Sequence, residues 1–257
     1  QVVRKETTLR DFSLKPTIKV CYIEVAEPHL DSLQSDFERV SLALTREWKI
    51  KNVQCSIHIL KKLQSELRKK NWCVTCIIYF SPRRQPEILE IKAGYSEVAP
   101  YGLAIDLGST SIAASLCDLT TGRIIDAKGS MNPQIRYGED VMSRVSYTML
   151  QKEGLKNLHS SVIKGLNNLI KSIVSENKIK KDEIFEIVFV SNPIMHHLLI
   201  GIDPKELGLA PFPLVHSESL NFKASEINIK ASQESYIYTV PCVGGHVGAD
   251  AAAVIIS

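Results

Sequence analysis

Apolar positions along the chain follow two different spacings, and each spacing predicts its own kind of element. Up to residue 16 no spacing is sustained, which indicates a linker. Between residues 17 and 98, runs rich in β-branched and aromatic residues predict strands, and apolar positions three or four residues apart predict helices. The expected elements are a strand at 17–26, helices at 33–48 and 56–70, and strands at 72–80 and 87–93. This order predicts a small α+β domain.

From residue 99 onward the pattern changes to three consecutive apolar strands followed by amphipathic helices and further strands. The expected elements are strands at 101–107, 112–117 and 123–128, helices from 139 and over 155–176, strands at 184–190 and 236–240, and the beginning of a helix at 251–256. Turns between the first three strands predict an antiparallel meander. An irregular, proline-rich connection is expected before the last strand. The chain is therefore expected to be an α/β protein of two domains, 17–98 and 99–257.

Composition agrees with a globular protein and excludes several other classes. Apolar residues make up 44% and charged residues 23% of the 257 residues, as in ordinary globular domains. No apolar run approaches the roughly 20 residues of a membrane span, and the start carries no apolar core of a signal peptide, so we expect a cytoplasmic protein. Residues 1–98 hold 17 basic and 12 acidic side chains, against 14 and 16 afterwards. This excess supports the domain boundary but is too small to indicate nucleic-acid binding.

The six cysteines are scattered, which favours free thiols. Cys73 and Cys76 form a lone C-x-x-C within a predicted strand, where residues three apart point to opposite faces. We therefore expect core packing for this pair. A metal-binding or redox role is the alternative, although no second pair is available to complete four ligands.

A turn with potential chemistry follows the strand at 101–107. It reads Asp106-x-Gly108 and continues with Ser109, Thr110 and Ser111. A carboxylate at this point can hold hydrated Mg²⁺, while turn amides and hydroxyls face phosphate oxygens. A plain hairpin turn is the alternative, because such turns favour Asp and Gly for backbone reasons alone.

The order of elements gives this turn a context. A three-stranded meander, then helix, strand and helix, with Asp-x-Gly in the first hairpin, resembles the ribonuclease H-like first lobe of the actin, sugar-kinase and Hsp70 ATPase superfamily. Within that superfamily, the string NPQIRYGEDVMSR at 132–144 resembles a segment of reductive activators of corrinoid proteins, as do NPIMHHLL at 192–199, LGLAPF at 207–212 and VGAD at 247–250. The domain at 17–98 resembles the middle domain that precedes the ATPase-like domain in this family.

The resemblance implies an ATP-dependent enzyme that returns the Co(II) corrinoid of a methyltransferase partner to Co(I), with electrons from an electron donor through an iron–sulfur cluster. Asp106 would be the catalytic carboxylate and would bind Mg²⁺ through water. The implied ATP-binding residues are Asp106, Gly108, Ser109, Thr110, Ser111, Gly244, Gly245, Gly248 and Asp250. Contacts with nucleotide or with the corrinoid partner are implied for Asn132, Arg136, Asp140 and Arg144, with helix capping and ion pairing as the alternative.

The sequence also departs from the family's pattern. None of its cysteines has the close spacing of the family's ferredoxin-like domain, so the cluster is expected in a domain that this chain lacks. The second ATPase lobe is expected to be absent too, and we expect these 257 residues to bind ATP weakly or not at all; micromolar affinity in calorimetry would contradict this. The domain at 17–98 is expected to serve docking or homodimerisation.

Two alternative functions, and the roles of three histidines, are undecided at this point. A small-molecule kinase of the same superfamily is one alternative, which the long match at 132–144 disfavours. A module that only dimerises or binds a partner is the other. His196 and His197 are expected in ordinary helix packing with solvent exposure, with a partner contact as the alternative, and His246 is expected in a flexible loop without catalytic duty.

Overall fold

The computed structural model describes residues 16–81, 84–242 and 244–245. The first domain contains β1 (Ile18–Glu24), α1 (Asp36–Trp48), β2 (Gln54–Cys55), α2 (Ile57–Lys69), β3 (Cys73–Tyr79) and β4 (Glu87–Ala93). Both helices begin at a serine whose hydroxyl accepts a backbone amide: Ser35 for α1, in a capping box with Glu38, and Ser56 for α2. The linker was expected at 1–16, and residues 1–15 of it lie outside the described residues.

The sheet of this domain has the strand order β1-β3-β4-β2 and is buried on both faces. One face packs on α1 and α2 through a core that includes Cys21, Val74 and Cys76. The opposite face carries Ile77 and Tyr79, which pack against the second domain. Because β3 is covered on both sides, almost every residue in it is apolar, as is typical of a central strand.

The described part of the second domain holds a larger sheet and three α-helices. Its elements are β5 (Tyr101–Leu107), β6 (Ser111–Asp118), β7 (Ile124–Met131), α3 (Val141–Leu150), α4 (Gly154–Glu176), β8 (Ile184–Ser191), α5 (Pro193–Ile200), β9 (Leu220–Lys223) and β10 (Tyr236–Thr239). Short 3-10 helices lie at Pro133–Tyr137, Lys181–Glu183, Lys205–Gly208 and Ala224–Ile227.

The large sheet has the strand order β7-β6-β5-β8-β10-β9. Strands β5, β6 and β7 form the expected antiparallel meander, and β8 and β10 continue from β5 in parallel. The helices α3, α4 and α5 contribute to one continuous core with β5, β6, β8 and β10. This is the order of a ribonuclease H-like sheet with one extra antiparallel strand, β9, and it confirms the predicted fold class.

The two domains meet through a dense polar and aromatic contact. The rings of Tyr79 and Tyr236 stack with centroids 4.6 Å apart. Lys223 Nζ on β9 lies 2.8 Å from Glu87 Oε1 on β4, and the Tyr236 hydroxyl donates to the other oxygen of Glu87 at 2.5 Å. Ser56 donates to Glu234 at 2.6 Å. The α+β domain is therefore held against β9 and β10, at one side of the large sheet.

The observed elements differ from the predicted ones at three places. The two-residue strand β2 and the edge strand β9 were not predicted, and part of the connection expected to be irregular forms two 3-10 helices. Helix α5 agrees with the helix expected around His196 and His197. Both unpredicted strands are short and depend on partners distant in sequence. The helix expected at 251–256 lies outside the described residues. None of the described helices is both long and apolar enough to span a membrane.

Candidate functional site

The carboxyl ends of the three parallel strands meet at one edge of the large sheet. In register, Asp106 on β5 lies beside Val190 on β8, and the next residues along β8 lead to Asn192. Strand β10 lies on the other side of β8 and leads toward Gly244. Ligands of open α/β sheets bind outside this edge of the strands. The fold therefore brings the predicted Asp-x-Gly turn and the start of the predicted glycine-rich region to one side.

Asp106 has an exposed side chain at this edge, and Gly108 forms a tight turn beside it. A Cβ on Gly108 would lie 2.8 Å from the carbonyl oxygen of Ser111, too close for an ordinary contact. The backbone of the turn can approach so closely only because residue 108 has no side chain. This steric requirement explains the glycine without any appeal to a ligand.

Three successive carbonyls of the turn are fixed by donors from the segment 132–144. Asn132 Nδ2 donates to the carbonyl of Gly108 at 2.8 Å, Arg144 Nη2 to that of Ser109 at 2.5 Å, and the Asn132 amide to that of Thr110 at 2.9 Å. In a planar trans peptide the N–H points opposite to the preceding C=O. The amides of Ser109 and Thr110 are therefore directed away from this segment, as in an anion-binding nest.

Arg144 on α3 is the largest side chain of the described residues that is fully buried, with an exposed fraction of 0%. Its Nε donates to the carbonyl of Gly138 at 3.1 Å, and its Nη1 lies 3.1 Å from Gln134 Oε1 and 3.0 Å from the sulfur of Met195. Burial lowers the pKa of this guanidinium. Arg144 therefore joins the turn to α5 and to the 3-10 helix at Pro133–Tyr137.

The four residues assigned to partner contact occupy different environments. Asn132 is 1% exposed and accepts the amide of Gln134, so it caps the 3-10 helix as well as holding the turn. Asp140 caps α3 through the amide of Ser143 at 2.7 Å, and this bond lowers the pKa of its carboxyl. Only Arg136 and Asp140 are exposed. Partner contact stays a prediction, and of these four side chains only these two are available at the surface for it.

The glycine-rich region is described only in part. Gly245 approaches the backbone so closely that a Cβ would lie 2.2 Å from the carbonyl oxygen of Phe212, whereas a Cβ on Gly244 would meet nothing within 4 Å. Gly248, Asp250 and His246 lie outside the described residues.

The expectation of solvent exposure for the histidine pair is wrong. His196 and His197 are 3% and 1% exposed, because α5 is buried on all sides between the large sheet and neighbouring segments. His196 Nε2 lies 3.2 Å from the hydroxyl of Thr239, and His197 Nδ1 lies 2.8 Å from the carbonyl of Pro193. Burial lowers the pKa of His196 to about 4 and also lowers that of His197. Helix packing, the favoured interpretation, agrees with these contacts.

The two cysteines of the C-x-x-C occupy different environments. Cys76 is fully buried and faces the helices, and burial raises the pKa of its thiol. Cys73 is half-buried three residues earlier on the same strand. Within the described ranges, no group of three or more His, Cys, Asp and Glu side chains could hold a metal ion.

Sequence reasoning missed two residues that support the turn. Gln134 is fully buried, accepts from Arg144 and donates to the carbonyl of Leu158 at 2.9 Å. Met195 contacts the same guanidinium through its sulfur. Both lie inside the strings that carry the family resemblance, so that resemblance was the signal that could have found them.

A glycine substitution tests the steric requirement of the turn. We expect Gly108→Ala to lower the free energy of unfolding by about 1–3 kcal/mol, because the new Cβ must displace the Ser111 carbonyl. Gly129→Ala on β7 is the matched control, since its Cβ would meet the backbone only at 3.7 Å. Urea unfolding of the two variants checks this. Equal free energies of unfolding for the two variants would show that the turn can adjust to a side chain at residue 108 without cost.

The sheet order and the position of the Asp-x-Gly turn define a ribonuclease H-like lobe. Two family models match the chain: the RACo linker region matches residues 7–98 and the RACo middle region matches residues 101–257. The chain therefore belongs to the RACo family, the reductive activators of corrinoid proteins. In the family's own terms, the α+β domain falls in the linker region and the large domain in the middle region.

Two relatives agree with this assignment. The chain is 31% identical over 166 residues to the corrinoid activation enzyme RamQ of Eubacterium limosum, a match that covers 65% of this chain and 28% of that protein. It superimposes on the solved structure of a reductive activator for corrinoid, iron-sulfur protein with a TM-score of 0.85 and 30% identity, over 94% of this chain and 38% of the other. The chain thus spans well under half the length of either relative.

Proposed function

We propose that this chain is part of an ATP-dependent activator that reduces the Co(II) corrinoid of a methyltransferase partner to Co(I). The names of the two relatives support the corrinoid role. The observation that carries the nucleotide role is the turn at 106–111, whose carbonyls are held from behind and whose Ser109 and Thr110 amides are directed away from their support. In this proposal the chain supplies the first phosphate loop.

The residues present fit Mg–ATP at this edge of the sheet. An exposed carboxylate at Asp106 is the hard oxygen ligand that hydrated Mg²⁺ prefers. The exposed hydroxyl residues Thr110 and Ser111 provide donors beside the two backbone amides. Bound ATP would supply the free energy for an uphill one-electron reduction. An iron–sulfur cluster in a domain outside this chain, fed by an electron donor, would supply the electron.

The chain's own residues would couple nucleotide binding to a conformational change. Asn132 connects the turn to the 3-10 helix at Pro133–Tyr137, and Arg144 connects it to the start of α3 and to α5. A nucleotide can shift a conformational equilibrium only by its different affinity for two states. In this proposal, the turn at 106–111, α3 and α5 are arranged differently in the two conformational states.

The α+β domain is proposed as the docking or homodimerisation module. Its edge strand β1 is partly covered: Trp48 Nε1 donates to the carbonyl of Tyr22 and Arg46 to that of Glu24, each at 2.8 Å. These side-chain hydrogen bonds prevent another strand from pairing with β1 near Tyr22 and Glu24. A homodimer formed by this domain would therefore use another surface or the other end of β1.

Replacing the proposed catalytic carboxylate tests the function. In the full-length protein we expect Asp106→Asn to lower ATP hydrolysis and the formation of Co(I) corrinoid by about 100-fold, as is typical for the loss of one preorganised electrostatic group. Asp182→Asn is the control, because Asp182 is equally exposed but lies beside the opposite, amino end of β8. Loss of the Co(II) signal in electron paramagnetic resonance measures the reduction. Full activity of Asp106→Asn would contradict the proposal.

A further inference from the structure

The guanidinium of Arg144 carries a positive charge that its surroundings do not neutralise. Its hydrogen-bond acceptors are two backbone carbonyls, one amide oxygen and one thioether, all of them neutral. Among the described residues, no carboxylate lies within ion-pair distance of it. Burying a charge without an opposite partner is expensive. The structure nevertheless places this charge directly behind the turn at 106–111.

The charge of Arg144 is placed so that it can act on a ligand bound on the other side of the turn at 106–111. Arg144 bonds the carbonyl of Ser109, and the amide of the same peptide unit, on Thr110, is directed away from Arg144. The charge and the peptide dipole therefore act in the same direction on a ligand at the turn. Both favour a negative charge, and the low dielectric of the interior preserves the effect over several ångströms.

Resting on the proposed function, we propose that Arg144 is a positioning residue that holds the first phosphate loop in its anion-binding shape and that its unbalanced charge strengthens the binding of a polyphosphate there. Two nearby acidic groups do not remove the imbalance. Asp140, whose charge acts on Arg144 from the N-cap of α3, is exposed and already accepts the Ser143 amide. Asp106 is exposed at the carboxyl end of β5, where bound Mg²⁺ would share its charge.

Inorganic triphosphate is the probe that isolates this role, because it carries the phosphates of ATP without adenosine. It is titrated with Mg²⁺ into the full-length protein and into three variants. Arg144→Met removes the charge. Arg144→Lys keeps the charge but loses the several N–H donors of the guanidinium. Arg136→Met is the control. Arg136 lies in the same segment, is exposed, and stacks on Tyr137 rather than on the turn.

We expect Arg144→Met to weaken triphosphate binding by about tenfold or more, Arg144→Lys to weaken it less, and Arg136→Met to leave it within about twofold. Hydrogen exchange at the amides of Ser109 and Thr110 is the second readout. Triphosphate should slow this exchange in the wild-type protein, and exchange without ligand should be faster in both Arg144 variants. A role in stability alone would weaken binding equally in the Met and Lys variants.

The outcomes separate the inference from the function on which it rests. If the wild-type protein neither binds triphosphate nor shows slower exchange at the turn, the proposed phosphate loop is wrong. If the wild type binds but Arg144→Met binds equally well, the inference is wrong. Equal losses in the Met and Lys variants overturn the contribution of the charge. Should Arg144→Met fail to fold, Arg144→Lys decides: unchanged exchange at the turn overturns the positioning role.

Discussion

Lys223→Met should lower the free energy of unfolding by about 3 kcal/mol, because the substitution leaves two poorly exposed carboxylates without their cation. Lys223 Nζ lies 2.8 Å from Glu87 Oε1 in the other domain and 3.0 Å from Glu234 Oε2 in its own. The side chains of Glu87 and Glu234 are only 16% and 6% exposed. The ammonium also lies 3.9 Å from the ring centroid of Tyr236, a further contact that methionine cannot replace.

The chain contains a matched control for this substitution. Lys156 and Glu153 form an ion pair of similar length, 2.8 Å, but both side chains are more than half exposed. We therefore expect Lys156→Met to change the free energy of unfolding by no more than about 0.5 kcal/mol. A similar small change in Lys223→Met would show that the network does not stabilise the contact between the domains. The double variant with Glu87→Gln would then measure any remaining coupling.

The two tryptophans allow the same experiment to report on each domain. Trp48 and Trp72 both belong to the α+β domain, and they are the chain's full complement of tryptophan. In the wild-type protein, tryptophan fluorescence and circular dichroism should follow one transition in urea. In Lys223→Met, we expect the fluorescence transition to come first, because the α+β domain loses the ion pair that joins Glu87 to β9. Coincident transitions in the variant would mean that the remaining contacts suffice for cooperative unfolding.

Local spacing was enough to predict most of the fold. The meander of β5, β6 and β7 and the long helix α4 were expected within a few residues of their observed bounds, because each carries its own sustained apolar period. The Asp-x-Gly turn was placed at the end of β5 for the same reason. Strand β9 was missed since its four residues are held by pairing with β10 and by contacts with the first domain.

The support of the candidate site could not be predicted from local pattern. Arginine is rarely buried, so nothing in the spacing around Arg144 indicates that its side chain points inward. Its acceptors on Ser109 and Met195 are 35 and 51 positions away in sequence. The same holds for the contact between Glu87 and Lys223, separated by 136 positions. Such contacts exist only once the tertiary fold has formed.

Acid should destabilise the protein through His196. Burial holds the pKa of this ring at about 4, against 6.5 for an unperturbed histidine. Between these values the unfolded chain binds a proton that the folded chain does not. The free energy of unfolding should therefore fall as the pH drops from about 6.5 to about 4, by about 3 kcal/mol from this group. This stability is fully present above pH 6.5.

The surroundings of the ring explain why a charge is excluded. His196 faces the hydroxyl of Thr239 on β10 and the ring of His197, with centroids 5.9 Å apart, and its Nδ1 has no hydrogen-bond partner among the described residues. The charges of His197 and His216 would oppose protonation further. Protonation would thus place a cation between α5 and the large sheet, one turn beyond the start of the helix at the candidate site.

His196→Gln isolates this contribution, since glutamine can reach the Thr239 hydroxyl but does not titrate. Urea unfolding of both proteins at pH 7 and at pH 4.5 should show a smaller loss of stability in the variant, by about 2 kcal/mol. His29→Gln is the control, because it makes the same substitution at an exposed histidine of the α+β domain. His197 contributes in the same direction in both proteins and cancels in the difference. An equal acid effect in wild type and His196→Gln would mean that α5 rearranges in the folded protein so that solvent reaches the His196 ring. The segment that joins Arg144 to α5 would then be mobile before the protein unfolds.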